Sequence, residues 1–152
     1  MIGWVAIGAV VKQRSELGIQ RRGRCIRRRL SLRAKMAVRP DSEEKFETSS
    51  GGFELFPSLS DEATVDLSVI VPAYNEELRI HVMLDECLEH LRGMKISSEV
   101  LVVDDGSRDR TAQVVLGYVR THGDAKIRLL QLQQNQGKGG AVRMGMLRSR
   151  GE

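Results

Sequence analysis

Residues Leu67 to Pro72 read Leu-Ser-Val-Ile-Val-Pro, and this run decides the fold. Its apolar side chains are nearly continuous and mostly β-branched, the pattern of a strand buried on both faces. An antiparallel strand with one wet face would alternate instead. Pro72 lacks an N–H and is expected to end the backbone pairing.

The pattern then repeats down the chain. Ile80, Leu84, Cys87, Leu88 and Leu91 recur at helical spacing, and Gly93 follows as a stop, so a helix is expected over residues 77–92. Glu99 to Val103 (EVLVV) reads as a second strand, Ala112, Val115, Leu116 and Val119 as one helix face, and Ile127 to Leu132 as a third strand. A further helix starts near Gly139 and carries Ala141, Met144 and Leu147. Strand and helix alternating in this way specify an α/β fold with a parallel sheet, right-handed crossovers and helices on both faces. Ligands of such sheets bind beyond the carboxyl ends of the strands. Three polar or glycine-bearing segments fall there: PAYNEE from Pro72, DDGSRDRT from Asp104 and QNQGKGGA from Gln134.

Upstream the character is different. The net charge of +4 conceals a split, because residues 1–40 hold 11 Lys/Arg and one acid, which leaves 13 basic residues against 19 acidic ones from Asp41 onward. The positive charge therefore belongs to a segment with no recognisable nucleic-acid-binding fold, and no nucleic-acid partner is expected. The apolar run Met1 to Val11 is about half the roughly 20 residues of a spanning helix. Its charges follow the apolar stretch rather than precede it, unlike a secretory signal. The Arg-rich stretch suits a transit peptide, a patch against an anionic membrane surface, or a solvated tail. Residues 1–40 are thus expected to form a basic, irregular or partly helical segment, and 41–65, rich in Ser, Glu, Gly and Asp, a linker with one short turn. The ligand-binding α/β unit is expected over 66–152. Cys25 and Cys87 have no metal-ligand spacing, so a reducing, cytosol-facing setting is the default.

Each polar segment has a functional and a plain reading. Asp104 and Asp105 end a buried strand, where two carboxylates are costly unless a ligand, a cation or hydrogen-bond donors compensate them. Either could accept the imide N–H of a uracil or the hydroxyls of a ribose. Ser107, Asp109 and Thr111 are read as turn and helix-cap residues. Tyr74 offers a ring for a base to stack on, or else packs in the core. Glu76 offers an acceptor for sugar hydroxyls, or is a first-turn acid favoured by the helix dipole. Gly137, Lys138, Gly139 and Gly140 open a helix with free N–H groups and a cation, a natural seat for a diphosphate. No Ser or Thr follows Lys138, which excludes the phosphate loop of nucleotide hydrolases, and Val142 breaks the dinucleotide-binding glycine pattern. Gln134, Gly137 and Gly139 also fit the short pattern of acyl-CoA-dependent transferases, a reading that leaves PAYNEE and DDGS unexplained.

Taken together, VIVPAYNEE, VLVVDDGSRDRT and NQGKGGAVRMGMLRSRGE resemble, in order and spacing, the N-terminal half of family 2 glycosyltransferases of the GT-A fold. With EEKF at Glu43 to Phe46, the third string looks more like the members that glucosylate dolichyl phosphate than those that mannosylate it. The resemblance implies that Pro72, Tyr74 and Glu76 contact the nucleotide, Val103 and Asp105 the uracil side, and Lys138 the diphosphate, with Asp104 supporting from beside. It implies transfer of glucose from UDP-glucose to dolichyl phosphate for protein N-glycosylation, at the cytosolic face of the endoplasmic reticulum membrane. It also implies a divalent cation, Mg or Mn, held by an Asp-x-Asp segment expected beyond Glu152. No catalytic or metal-binding residue is therefore expected within these residues, and this stretch is expected to be inactive alone. A chain whose apolar run does not anchor would be cytosolic. The competing reading is a non-catalytic lipid- or protein-interaction module in which the α/β unit is only scaffold.

Overall fold

The computed structural model describes residues 10–13, 45–58 and 61–151. In chain order the elements are β1 (Val10–Gln13), β2 (Lys45–Glu47), β3 (Phe53–Leu55), β4 (Leu67–Ala73), α1 (Ile80–Gly93), β5 (Ser98–Asp104), α2 (Thr111–His122), β6 (Ile127–Gln131) and α3 (Gly137–Arg148). One sheet has the order β1-β4-β5-β6, with β4, β5 and β6 parallel and β1 antiparallel to β4. The fold is therefore the Rossmann-like α/β unit that the buried run at Leu67 specifies.

Strand pleating divides the core into two layers. Leu67, Val69, Val71, Val100, Val102, Ile127 and Leu129 point to one face and pack under α1 and α2 through Ile80, Leu84, Val115 and Val119. Ile70, Leu101, Val103 and Leu130 point to the other, under Ala141 of α3 and the rings of Phe46 and Phe56. Gly145 lets α3 lie close to the sheet, because a Cβ there would stand 2.3 Å from Cγ2 of Ile70 and 2.9 Å from Cγ2 of Val103.

Several boundaries and one whole element differ from the sequence expectation. Strand β4 continues through Pro72 to Ala73. The Ala73 carbonyl accepts from Asp105 N on the β5 side, so the missing N–H of Pro72 falls on the opposite side, beyond Ile70 where pairing with β1 stops. Helix α1 begins at Ile80 rather than near 77, because the chain first turns at Glu76, whose carbonyl accepts from both Arg79 N and Ile80 N. Residues 45–55, read as linker, form the β2–β3 hairpin, with Phe46 and Phe56 in tilted contact at 4.9 Å. Within the basic segment expected to be irregular or partly helical, residues 10–13 are extended, because the edge of β4 offers them backbone partners.

The hairpin covers a buried ion pair. Glu99 is 0 % exposed and Arg128 1 %. Glu99 Oε2 accepts from Arg128 Nη2 at 2.6 Å and from Arg150 Nε at 2.8 Å, while Oε1 accepts from Ser68 Oγ and Arg150 N, both at 2.6 Å. The Arg128 guanidinium lies 5.3 and 5.1 Å from the ring centroids of Phe46 and Phe56. Burial by itself would raise the Glu99 pKa; the Arg128 cation, the Ser68 hydroxyl and Arg150 outweigh it and hold the carboxyl below the ordinary glutamate range.

A group whose pKa falls on folding stabilises the fold above its unfolded pKa and loses that contribution as pH falls through its folded value. Glu99→Ala, which strands two cations, is expected to cost about 3–5 kcal/mol at neutral pH in urea unfolding. Its deficit relative to the parent should shrink as pH drops below about 4. A loss under about 1 kcal/mol would show that the cluster is not coupled to folding.

Candidate functional site

Parallel pairing brings Ala73, Asp104 and Gln131 into one row, so β4, β5 and β6 all end at the same edge. The loops that leave them, 74–79, 105–110 and 132–136, are fastened to one another by hydrogen bonds between residues far apart in sequence.

Loops one and two are laced along their length. Asn75 N donates to Ser107 Oγ at 2.9 Å, Glu76 N to Thr111 Oγ1 at 2.8 Å, and Glu77 N to Asp109 Oδ2 at 3.1 Å. In the other direction Arg108 N donates to Asn75 Oδ1 at 2.9 Å and Arg110 N to Glu77 Oε2 at 2.8 Å. Asn75 makes both of its contacts from a left-handed backbone at φ 54°, a conformation asparagine tolerates better than most residues. Ser107, Asp109 and Thr111 thus do more than cap a helix. Arg110 occupies the N-cap of α2 without a side-chain cap, and these three side chains take up the N–H groups of loop one.

Loop three is tied to loop two by the acidic pair. Asp104 and Asp105 are each 3 % exposed. Asp104 Oδ1 accepts from Ser107 N at 3.0 Å and its carbonyl from Leu132 N at 2.9 Å. Asp105 Oδ1 accepts from Gln136 N at 2.7 Å, immediately before α3. Gly106, at φ 73°, turns the chain so tightly that a Cβ would lie 3.1 Å from Asn135 N and 3.2 Å from the carbonyl carbon of Gln134. Glycine is needed there twice over, for the backbone angle and for the approach of loop three. The two carboxylates are compensated by backbone donors, and neither second oxygen has a hydrogen-bond partner among the described residues.

The candidate residues divide by placement. Tyr74 is 42 % exposed at the mouth of the edge, so its ring is not a core aromatic. Glu76 is half-buried, not in the first turn of α1, and has Arg79 Nη2 at 2.7 Å from each carboxylate oxygen. Lys138 is exposed in the first turn of α3, where Gln136 makes no side-chain cap but Asn135 Oδ1 accepts from Gly137 N at 3.0 Å, and it pairs with no carboxylate among the described residues. Asp104 and Asp105 stand at the carboxyl end of β5, the strand between β4 and β6. Pro72 is half-buried within β4, and the side chain of Val103 is fully buried under α3, so a contact of Val103 with a ligand would be made by its backbone. Gln136 and Asn75, whose backbone and side chain carry the loop junctions, were not singled out by the sequence; a non-glycine residue in a left-handed turn leaves only a weak compositional trace.

Among the described residues no group of three or more His, Cys, Asp or Glu could hold a metal ion, and the Asp104 and Asp105 carboxylates are drawn to N–H groups of different loops. Cys87 is a free, half-buried thiol whose pKa burial pushes up; Cys25 lies outside the described residues.

The carboxyl edge of a parallel sheet is where α/β proteins of this class bind their ligands, and comparison with known sequences narrows the class. The profile of the family described as glycosyl transferase family 2 matches residues 68–152, and the chain belongs to that family. It is 56% identical over 101 residues to a dolichyl-phosphate beta-glucosyltransferase of Drosophila melanogaster, covering 63% of this chain and 31% of that protein. The human protein of the same name is 46% identical over 119 residues, 75% of this chain and 37% of the relative, and that of Saccharomyces cerevisiae 40% over 96 residues, 60% and 29%. The chain spans about a third of the length of these relatives.

Asp105→Ala removes the only side-chain acceptor of Gln136 N among the described residues and is expected to release loop three. Amide hydrogen exchange at Gln136 should accelerate, with a stability loss of about 1–3 kcal/mol. Asp105→Asn, which keeps Oδ1, should leave the exchange near the parent rate. Equal protection of Gln136 in all three proteins would show that the loop is held by something else.

Proposed function

We propose that residues 66–151 form the donor cradle of a glucosyltransferase, a site for UDP-glucose whose glucose is destined for dolichyl phosphate in protein N-glycosylation at the endoplasmic reticulum. The single observation that carries this reading is the placement of Tyr74, the Asp104–Asp105 pair and Lys138 on one laced edge, with the ring exposed and the cation without a carboxylate partner among the described residues. Each group suits one part of a nucleoside diphosphate sugar. The Tyr74 ring can stack on a base, the unfilled carboxylate oxygens can accept an imide N–H or ribose hydroxyls, and Lys138 with the first-turn N–H groups of α3 beyond Gly137 can meet the diphosphate. Family membership and the names of the relatives support the sugar and the acceptor. Such a transfer is proposed to use a divalent cation, Mg or Mn, and no set of metal ligands is proposed among the described residues. Among the described residues no helix is long and apolar enough to cross a membrane. Contact with a membrane surface is proposed for the basic segment 1–40, most of which lies outside the described residues.

Calorimetric titration of the full chain with UDP-glucose, UDP, uridine and coenzyme A tests the reading. Uridine-selective binding is expected, with Lys138→Ala weakening UDP roughly ten-fold while leaving uridine unchanged, the effect of losing one charged hydrogen bond. A folded protein that binds no uridine compound would favour the scaffold reading, and preference for coenzyme A would replace the donor assignment.

A further inference from the structure

The edge of β4 that faces away from β5 is claimed twice. Leu67 N donates to Ser97 O and the Ala73 carbonyl accepts from Asp105 N, so the odd-numbered residues of β4 face β5 and the backbone of Ser68 and Ile70 faces outward. There β1 lies antiparallel, Gln13 opposite Leu67 and Val10 opposite Ile70. At the foot of the same strand stands Gly151. It forms a parallel bridge with Val65, its N–H donates to Ser68 Oγ at 2.8 Å, and a Cβ on it would lie 2.8 Å from Ser68 N. Arg150, held by Glu99, presents its carbonyl to Thr64 N at 3.0 Å.

The crossover rule says which way a chain leaving Gly151 is headed. Helices α1 and α2 lie on one face of the sheet and α3 on the other, packed over β4 and β5 rather than outside β6. A right-handed crossover through α3 therefore delivers the next parallel strand to the outer side of β4, where the strand order reverses. That place is the one β1 fills. One edge accepts one strand, because each outward N–H and C=O of β4 pairs once in a ladder.

We infer that the outer edge of β4 is a single strand-binding slot, that residues 10–13 are an exchangeable occupant of it, and that β1 must leave before any parallel strand delivered past Gly151 can join the sheet. The device protects the edge from pairing with other chains and at the same time blocks extension of the sheet.

Disulfide trapping reads the competition. Val11 and Val69 face each other with β4's backbone at Val69 turned to β5, a non-hydrogen-bonded pair with the short separation that suits a disulfide. In the full chain with Cys25→Ser and Cys87→Ser, the pair Val11→Cys and Val69→Cys should cross-link under mild oxidation. The cross-link should be lost when a seven-residue alternating Thr-Val strand is appended after Glu152, and the appended amides should then become protected from hydrogen exchange. Absence of the cross-link in the unextended chain would overturn the inference, as would an undiminished cross-link together with a protected appended strand. If the appended strand stays unprotected, Lys12→Pro, which removes a ladder N–H of β1 opposite Ser68, must render it protected; continued exposure would show that the edge accepts no second strand.

Discussion

Two carboxylates at the end of β5 hold the ligand edge together. Asp104 closes its own turn through Ser107 N, and Asp105 reaches across to Gln136 N at the start of α3. Because Ser107 in turn receives Asn75 N, the chain of contacts runs from loop one through loop two to loop three without a gap. Buried carboxylates are tolerated at this density only with donors aimed at them, and here the donors are backbone N–H groups that fix loop conformation. The geometry of a ligand site on this edge follows from that constraint: the groups that would face the ligand sit on loops the acids have already positioned.

The two ends of the sheet use charge in opposite ways. At the amino end Glu99 is satisfied on both oxygens by Ser68, Arg128 and Arg150, and two phenyl rings cover the guanidinium. At the carboxyl end each acid keeps one oxygen without a partner among the described residues, and Lys138 has no carboxylate partner among them. A saturated cluster stabilises and orients; an unsaturated one retains capacity for a ligand. This contrast separates scaffold from site within a single sheet of a glycosyl transferase family 2 chain.

Much of the fold was legible in the sequence. Strands β4, β5 and β6 announced themselves as apolar runs, since parallel strands buried on both faces leave little room for polar residues. The helices followed from apolar spacing, and only their first turns were misplaced, at Glu76 and at Gly137, where hydrogen bonds to other loops decide where the helix begins. The β2–β3 hairpin was not legible. Its strands are three residues long, and its reason for existing is Arg128, a charge buried in an otherwise apolar strand whose need for Phe46 and Phe56 appears only in three dimensions. The loop lacing was hidden for the same reason: its partners are about 30 residues apart, and Ser, Asp and Thr at a helix start look like caps whichever backbone they bind. In the candidate site, Asp104 and Asp105 were readable as unusual charges at a strand end and Lys138 as a cation among glycines that open a helix, whereas the packing of Val103 under Gly145 of α3 appears only in three dimensions.

The central claim is that three loops form one site, and an amide-resolved titration of the isotopically labelled chain with UDP tests it most directly. Shifts should appear together in residues 74–77, 105–107 and 136–139 and saturate along one binding curve. Shifts confined to a single loop, or centred on the outer face of α1 and α2, would contradict it.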